Sequence, residues 1–404
     1  MRDKHYLTAR EAARELQISP ATLYAYVSRG LVRSEEGLDK RSRLYLREDV
    51  EQLKKRKEQR RNPARVAEEA LYWGAPVMES ALTLIADGKF YYRGRDVLEL
   101  ATQRSFEEVA ALLWIGEMEA EIPAFTAPVA LSSRCRQVLV GVQDARAVEA
   151  FQIALAAAAV EDLAAYDLSP PAVVQTGARI LRQMVAVVAG EGSSGAIARL
   201  LQQTWVPHRS RAESLINAAL ILSADHELNV SAFTARCVSS AKSTPYAVVL
   251  AGLAALLGTR HGGASELVAV FLREVERPEN VRSTIASRLK RGETIPGFGH
   301  RLYPQGDPRG RLLLKLTAEA HPGSPAVELA AAAIAEVEGA IGKRPNLDFG
   351  LAILCRALGL ADDAPLTLFA LGRTAGWIGH ALEQYQSDRF IRPRARYVGE
   401  RPGD

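Results

Sequence analysis

Seven histidines occur in this chain of 404 residues, and three fall in short stretches rich in glycine or charge. These stretches read ADHELN around His226, GTRHGGA around His261 and GFGHRLYPQGDPR around His300, while a fourth, PNLDF, presents Asp348. An imidazole beside glycines leaves a ligand close access to its ring and to backbone N–H groups. A carboxylate held near carbon can act as a general base. Taken singly, each such histidine reads as a structural or surface residue. Their conjunction in a few glycine-flanked stretches is what points to a reaction.

Helices must position these groups. Apolar spacing of three and four recurs over Phe106–Leu113, Ala147–Ala165, Val174–Val188, Ala212–Ser223, Ala326–Ile341 and Leu366–Gln384, which predicts a mainly all-α body. The one strand-like stretch is Ala81–Tyr92, a hairpin turning at Asp87-Gly88. Glu121–Ala130 reads as an irregular connection, and His208 and His321 as surface residues. His380, beside Trp377, reads as packing between helices. The three cysteines, Cys135, Cys237 and Cys355, lie far apart without metal-ligand spacing, so a disulfide framework and a metal site are not expected. No secretory leader is expected from the charged first residues. The apolar run Ala247–Gly258 is too short for the ~20 residues of a membrane span, so a cytoplasmic protein is expected.

Charge is distributed unevenly. Residues 1–61 hold 16 of the 51 Lys and Arg but 10 of the 47 Asp and Glu, a surplus of six; the remainder is acidic by two. Such asymmetry suits a nucleic-acid-binding arm. Within it, Thr8 with Glu11 forms a capping box, and Ser19 followed by Pro20 starts a second helix. Leu23, Tyr24 and Val27 are expected inside, with Thr22, Tyr26 and Arg29 facing solvent. Lys40, Arg41 and Arg43 fall near a hairpin tip. This arm resembles the winged helix-turn-helix of MerR-type and excisionase-type regulators, which implies DNA contact through Thr22, Tyr26, Arg29, Arg41 and Arg43. The bland alternative is a small appended domain with a solvated basic face.

The rest of the chain resembles the citrate synthase family. Asp87–Val97, Ser105–Ala110 and Leu113–Gly116 are similar to its amino-terminal signature, and Arg373–His380 with Ile391–Tyr397 to its carboxy-terminal one. The resemblance implies a winged helix-turn-helix at 1–62, a large helical domain at 63–262 with 361–404, and a small one at 263–360. It implies that Asp348 takes a proton from the acetyl methyl of acetyl-CoA, that His261 stabilises the developing enol, and that His300 polarises the oxaloacetate ketone. His226, Arg309 and Arg373 would hold substrate, with Arg392 donated by a neighbouring subunit of a homodimer. The backbone of Pro296, Gly297, Phe298 and Gly299 would approach coenzyme A, a co-substrate; no permanently bound cofactor is implied.

Some positions depart from the family pattern. Ser223 replaces a usual histidine, Phe349-Gly350-Leu351 replaces Phe-Tyr-Ser-Gly, Leu302 and Pro304 differ after His300, and a His-Pro-Met stretch is missing. None removes a named catalytic group. The alternatives are a 2-methylcitrate synthase using propionyl-CoA, and a regulator whose enzyme fold serves as a metabolite sensor.

Overall fold

The computed structural model describes residues 6–29, 31–36, 43–47, 49–51, 53–54, 78–395, 397–400 and 402. They form two compact units, Met1–Glu79 and Ser80–Asp404.

In the first unit β1 (Tyr6–Thr8) leads into α1 (Ala9–Glu15), followed by α2 (Pro20–Ser28), β2 (Ser34–Glu36) and β3 (Arg43–Leu46). Both expected caps are present: Thr8 exchanges hydrogen bonds with Glu11, and the Ser19 side chain accepts from the Thr22 N–H. The strands pair antiparallel in the order β1-β3-β2, giving a helix-turn-helix with a hairpin wing. Its core gathers Leu7, Ala12, Leu16, Leu23, Val32, Tyr45 and Val50. The expected facing of α2 needs one correction. Tyr24 is 55% exposed, whereas Tyr26 leans on this core. Leu23 fixes the inward direction, and Tyr26, three residues on, shares that side while Tyr24 is turned away. Gly30, Lys40, Arg41 and residues 55–62 lie outside the described residues.

The second unit opens with a small antiparallel sheet, β4 (Thr83–Ala86), β5 (Lys89–Tyr92) and β6 (Arg95–Asp96). Asp87 and Gly88 both take positive φ at the tight turn, as the sequence predicts for a hairpin. Helices follow: α3 (Val97–Gln103), α4 (Phe106–Ile115), α5 (Pro123–Thr126), α6 (Ser133–Val140), α7 (Ala147–Glu161), α8 (Pro170–Ala189), α9 (Ile197–Trp205) and α10 (Ala212–Ser223). Then come α11 (Val230–Ser240), α12 (Pro245–Leu256), α13 (Ala264–Val275), α14 (Val281–Lys290), α15 (Pro308–Ala320), α16 (Pro325–Ile341), α17 (Leu347–Leu358) and α18 (Ala364–Ser387). The stretch Glu121–Ala130, expected to be irregular, contains α5. The helix expected to reach Ala165 stops at Glu161 and gives way to a 3-10 turn, Leu163–Tyr166.

Two hydrophobic clusters fill this unit. The larger runs from Leu82 to Tyr385, and the smaller draws its buried residues from between Val268 and Ile353. Helix α17 serves both: Leu347, Leu351, Leu354 and Leu358 enter the first, Phe349, Ala352 and Ile353 the second. That division lies along one helix because a 3.6-residue turn sends neighbouring side chains to opposite faces.

The crossing of α15 and α17 depends on missing side chains. A Cβ on Gly310 would sit 2.3 Å from the Asn346 carbonyl oxygen, and one on Gly350 would sit 3.2 Å from Gly310 itself. A similar contact holds α18 to the end of α10, where a Cβ on Gly376 would sit 2.3 Å from the Ala224 oxygen. Gly310→Ala is therefore expected to lose about 2–3 kcal/mol of unfolding free energy in denaturant titrations, because backbone must move to admit the methyl. Gly339→Ala, on α16 with open space around the new Cβ, is expected to gain about 0.4–1 kcal/mol in the same measurement.

Candidate active site

Loops at helix starts bring the four chemical stretches together. His226 lies in the connection from α10 to α11, and His261 in the turn before α13. His300 lies in the loop before α15, Arg309 in the first turn of α15, and Asp348 in the first turn of α17. Arg373 comes from the middle of α18.

The rings of His226 and His300 stand edge to face with centroids 5.2 Å apart, and Tyr303 lies 5.0 Å from His300. The Tyr303 hydroxyl and His226 Nε2 are hydrogen-bonded at 3.0 Å. The Arg309 guanidinium sits over Phe90 and Tyr303 at 5.6 and 5.7 Å from the ring centroids. It is held by Asp307, whose two oxygens accept from Nε at 3.0 Å and Nη2 at 2.8 Å. Asp307 also caps α15 through the Arg309 N–H and accepts from the Leu347 N–H at the start of α17.

Arg373, 1% exposed, lies over the Phe369 ring and donates from Nε to the Ser223 carbonyl at 2.7 Å. Among the described residues its two terminal nitrogens have no hydrogen-bond partner, and neither does Nη1 of Arg309. The Arg373 pair forms a fork that a carboxylate would occupy, and Nη1 of Arg309 adds a single donor. Among the described residues the buried Ser223 hydroxyl has no partner.

His261 Nε2 is 2.7 Å from the Ser231 hydroxyl, which also accepts from Trp377 Nε1 at 3.1 Å. Asn229 Oδ1 lies 2.8 Å from the same hydroxyl while capping α11. His261 also meets Phe369 edge-on at 5.9 Å. Behind His226, the buried carboxylate of Asp225 is bonded to His380 at 3.2 Å and to Thr83 at 2.5 Å. His380 thus packs between helices, as expected.

The electrostatics separate the site into neutral rings and one poised carboxyl. Burial, then the Arg373 charge, pushes His261 down to about 3. Burial and Arg309 bring His300 down to about 4, against a smaller opposing effect of Asp307. His226 is driven well below its usual value by burial and by Arg309. At neutral pH all three are uncharged. His300 Nδ1 accepts the Leu302 N–H at 3.2 Å, so its ring proton sits on Nε2. Asp348 is lifted to about 6, chiefly by burial, with the Ser265 hydrogen bond and Arg309 pulling it back. Burial also opposes ionisation of Asp307, but Arg309 beside it holds that carboxyl below its usual range.

The family model for the citrate synthase C-terminal domain matches residues 71–394. The chain belongs to the citrate synthase family. A helix-turn-helix domain model matches residues 6–58, so this citrate synthase family enzyme carries an appended unit. A citrate synthase of Haloferax volcanii is 32% identical over 82% of this chain and 96% of its own length. A 2-methylcitrate synthase of Mycobacterium tuberculosis is 30% identical over 76% of this chain and 84% of its own. The crystal structure of the Thermotoga maritima citrate synthase superposes with a TM-score of 0.71 at 26% identity, covering 82% of this chain and 95% of that one.

Other expected residues fall elsewhere. Pro296–Gly299 pairs through its backbone with residues 344–346: Gly299 N–H donates to the Arg344 oxygen at 2.7 Å and Asn346 N–H to the Gly297 oxygen at 2.9 Å. Arg392 is exposed beyond α18, with no hydrogen bond or ion pair among the described residues. His208 is exposed as expected, but His321 is half-buried with Nε2 enclosed at the end of α15, a correction to its surface assignment. Phe90, Tyr303, Asp307 and Asn229 stood inside the quoted motifs without a role, whereas Ser231 and Ser265 carried no local signal.

Removing the Asp307 charge should expose how much rests on it. Asp307→Asn leaves Arg309 buried without its counter-charge and is expected to cost about 3–5 kcal/mol in urea unfolding at neutral pH. The folded carboxyl ionises more readily than the unfolded one, whose value is about 3.9. Its stabilisation is therefore present above that pH and lost as pH falls through the lower, folded value. Stability should decline less steeply below pH ~4 in the variant than in the parent.

Proposed function

We infer that this enzyme is a citrate synthase, condensing acetyl-CoA with oxaloacetate to give citrate and CoA. The observation that carries the reading is the convergence of Asp348, lifted toward neutrality, with neutral His261 and His300, the two terminal nitrogens of Arg373 and Nη1 of Arg309. Asp348 takes a proton from the acetyl methyl. Charge then develops on the thioester oxygen, where a His261 N–H stabilises it. For His261 to donate there through Nδ1, the Ser231 hydroxyl, which donates to Asn229 Oδ1 in the structure, must turn its proton to His261 Nε2. His300, protonated on Nε2, polarises the ketone of oxaloacetate and protonates the new alkoxide. Hydrolysis of the citryl thioester releases CoA.

Arg309, Arg373 and His226 hold the dicarboxylate, and Arg392 of a second copy completes the site in a homodimer. The backbone of Pro296–Gly299 approaches CoA, a co-substrate. We place domains at 63–262 with 361–404 and at 263–360; the smaller hydrophobic cluster, whose buried residues all fall within 263–360, supports the latter. Among the described residues no helix is long and apolar enough to cross a membrane, which accords with a cytoplasmic enzyme.

Thiol release with oxaloacetate and either acetyl-CoA or propionyl-CoA tests the reaction and its acyl preference. Release is expected with acetyl-CoA; none with either thioester overturns the reading. The base must be ionised, so turnover of the substrate complex should rise with pH through about 6 and level off above it. Asp348→Ala should remove release while oxaloacetate still binds; unchanged turnover would exclude Asp348 from the chemistry.

The amino-terminal unit supports a second partner. DNA contact through α2 and the wing draws on Thr22, Arg29 and Arg43, with Tyr24 as the outward aromatic in place of Tyr26. DNA titration of the full chain at several salt concentrations should give a log binding constant that falls linearly with log salt. Arg29→Ala and Arg43→Ala should each reduce that slope by about one. Equal binding and slope in both variants would rule out contact through these residues.

A further inference from the structure

The base does not stand alone at the start of α17. Ser265, in the first turn of α13 and 1% exposed, places its hydroxyl 2.5 Å from Asp348 Oδ1 and donates to it. Among the described residues this is the one hydrogen bond that the Asp348 side chain accepts. Ser265 lies four residues after His261, and its own N–H is bonded to the Gly262 carbonyl, closing the turn that carries both residues. That turn is tightly seated: a Cβ on Gly263 would lie 2.6 Å from the Leu257 oxygen. The imidazole assigned to the thioester oxygen and the hydroxyl that grips the base are therefore fixed by one short segment.

We propose that Ser265 is a positioning residue for the condensation, engaging Oδ1 of Asp348 so that Oδ2 is the oxygen that takes the methyl proton. This rests on reading Asp348 as the base. In the step, a methyl C–H bond breaks and its proton passes to Oδ2. The freed electron pair forms the enol double bond, with charge moving to the thioester oxygen. The serine keeps its own proton throughout.

The hydroxyl also sets how basic the carboxylate is, because donation to the charged form favours ionisation. The charged groups facing Asp348 are Arg309 and Asp307 from the start of α15 and Arg373 from α18. Both arginines favour the carboxylate and Asp307 opposes it; all three persist when Ser265 is changed. Loss of the hydroxyl leaves Oδ1 buried without a donor, so the carboxyl should hold its proton to higher pH.

The test compares full-length Ser265→Ala and Ser265→Thr with the parent. In Ser265→Ala the acid limb of the kcat–pH profile should move up by about one unit, a roughly fivefold loss of ionised base near pH 6, and the plateau should fall as well because Oδ2 is no longer held toward the methyl. KM for oxaloacetate should hold, since Ser265 touches no substrate group. Ser265→Thr keeps the hydroxyl and should restore the parent limb. A ¹³C NMR titration of the Asp348 carboxyl, identified by its absence in Asp348→Asn, should show the same shift without any turnover. Coincident limbs and titrations for parent and Ser265→Ala overturn the proposal, as does a shift in Ser265→Thr as large as in Ser265→Ala. If the parent releases no CoA, the condensation reading fails by itself, while the carboxyl titration still decides the Ser265 coupling.

Discussion

One carboxylate joins the pieces on which the site depends. Asp307 grips the Arg309 fork, caps the helix carrying it, and reaches across to the first N–H of the helix carrying Asp348. Two helix starts, each with unsatisfied N–H groups, thereby share one anion. The arrangement is possible only because α15 and α17 approach closely enough for both to reach it, which Gly310 and Gly350 allow. Arg309 and Asp348, proposed to hold substrate and to act as base, are consequently fixed to each other before any substrate arrives. Preorganisation of this kind lets charge develop during reaction without the protein having to rearrange around it.

The same economy of charge explains why three histidines can crowd together. Two buried arginines lie close by, and a positive imidazole among them would be repelled as well as poorly solvated. Neutral rings avoid both costs and still supply N–H donors. The carboxyl faces the opposite pressure: burial favours its neutral form, while the arginines and a serine restore part of its acidity. The outcome is a carboxyl raised to about 6 and still ionised at neutral pH, as the proposed base must be.

Much of this was legible in the sequence. Caps at Thr8 and Ser19, the Asp87-Gly88 turn and the long amphipathic helices rest on local rules, and the structure follows them closely. His226, His261, His300 and Asp348 stood out through their glycine-flanked or charged stretches and through resemblance in one order along the chain. Partners supplied from far away were not legible. Ser265 is 83 residues from Asp348, and Thr83 is 142 from Asp225; such pairs arise from tertiary packing rather than periodicity. The tyrosines of α2 show a subtler failure. Alternate residues on one helical turn differ only in angle, and a nine-residue helix gives little pattern from which to choose.

Helix α18 carries a consequence for how the chain comes to fold. Almost every side chain along its 24 residues is buried, and Leu82, Tyr246, Trp377 and Tyr385 belong to one cluster with it. Among the described residues it follows every other helix of its unit, so during synthesis α10, α11 and α12 must wait with apolar faces uncovered. The small amino-terminal unit, built on a core of its own, has no such dependence and can fold while the remainder is still emerging. The nascent enzyme thus passes through a long interval of exposed hydrophobic surface that only its final helix ends, a period in which chaperone capture and aggregation compete with completion.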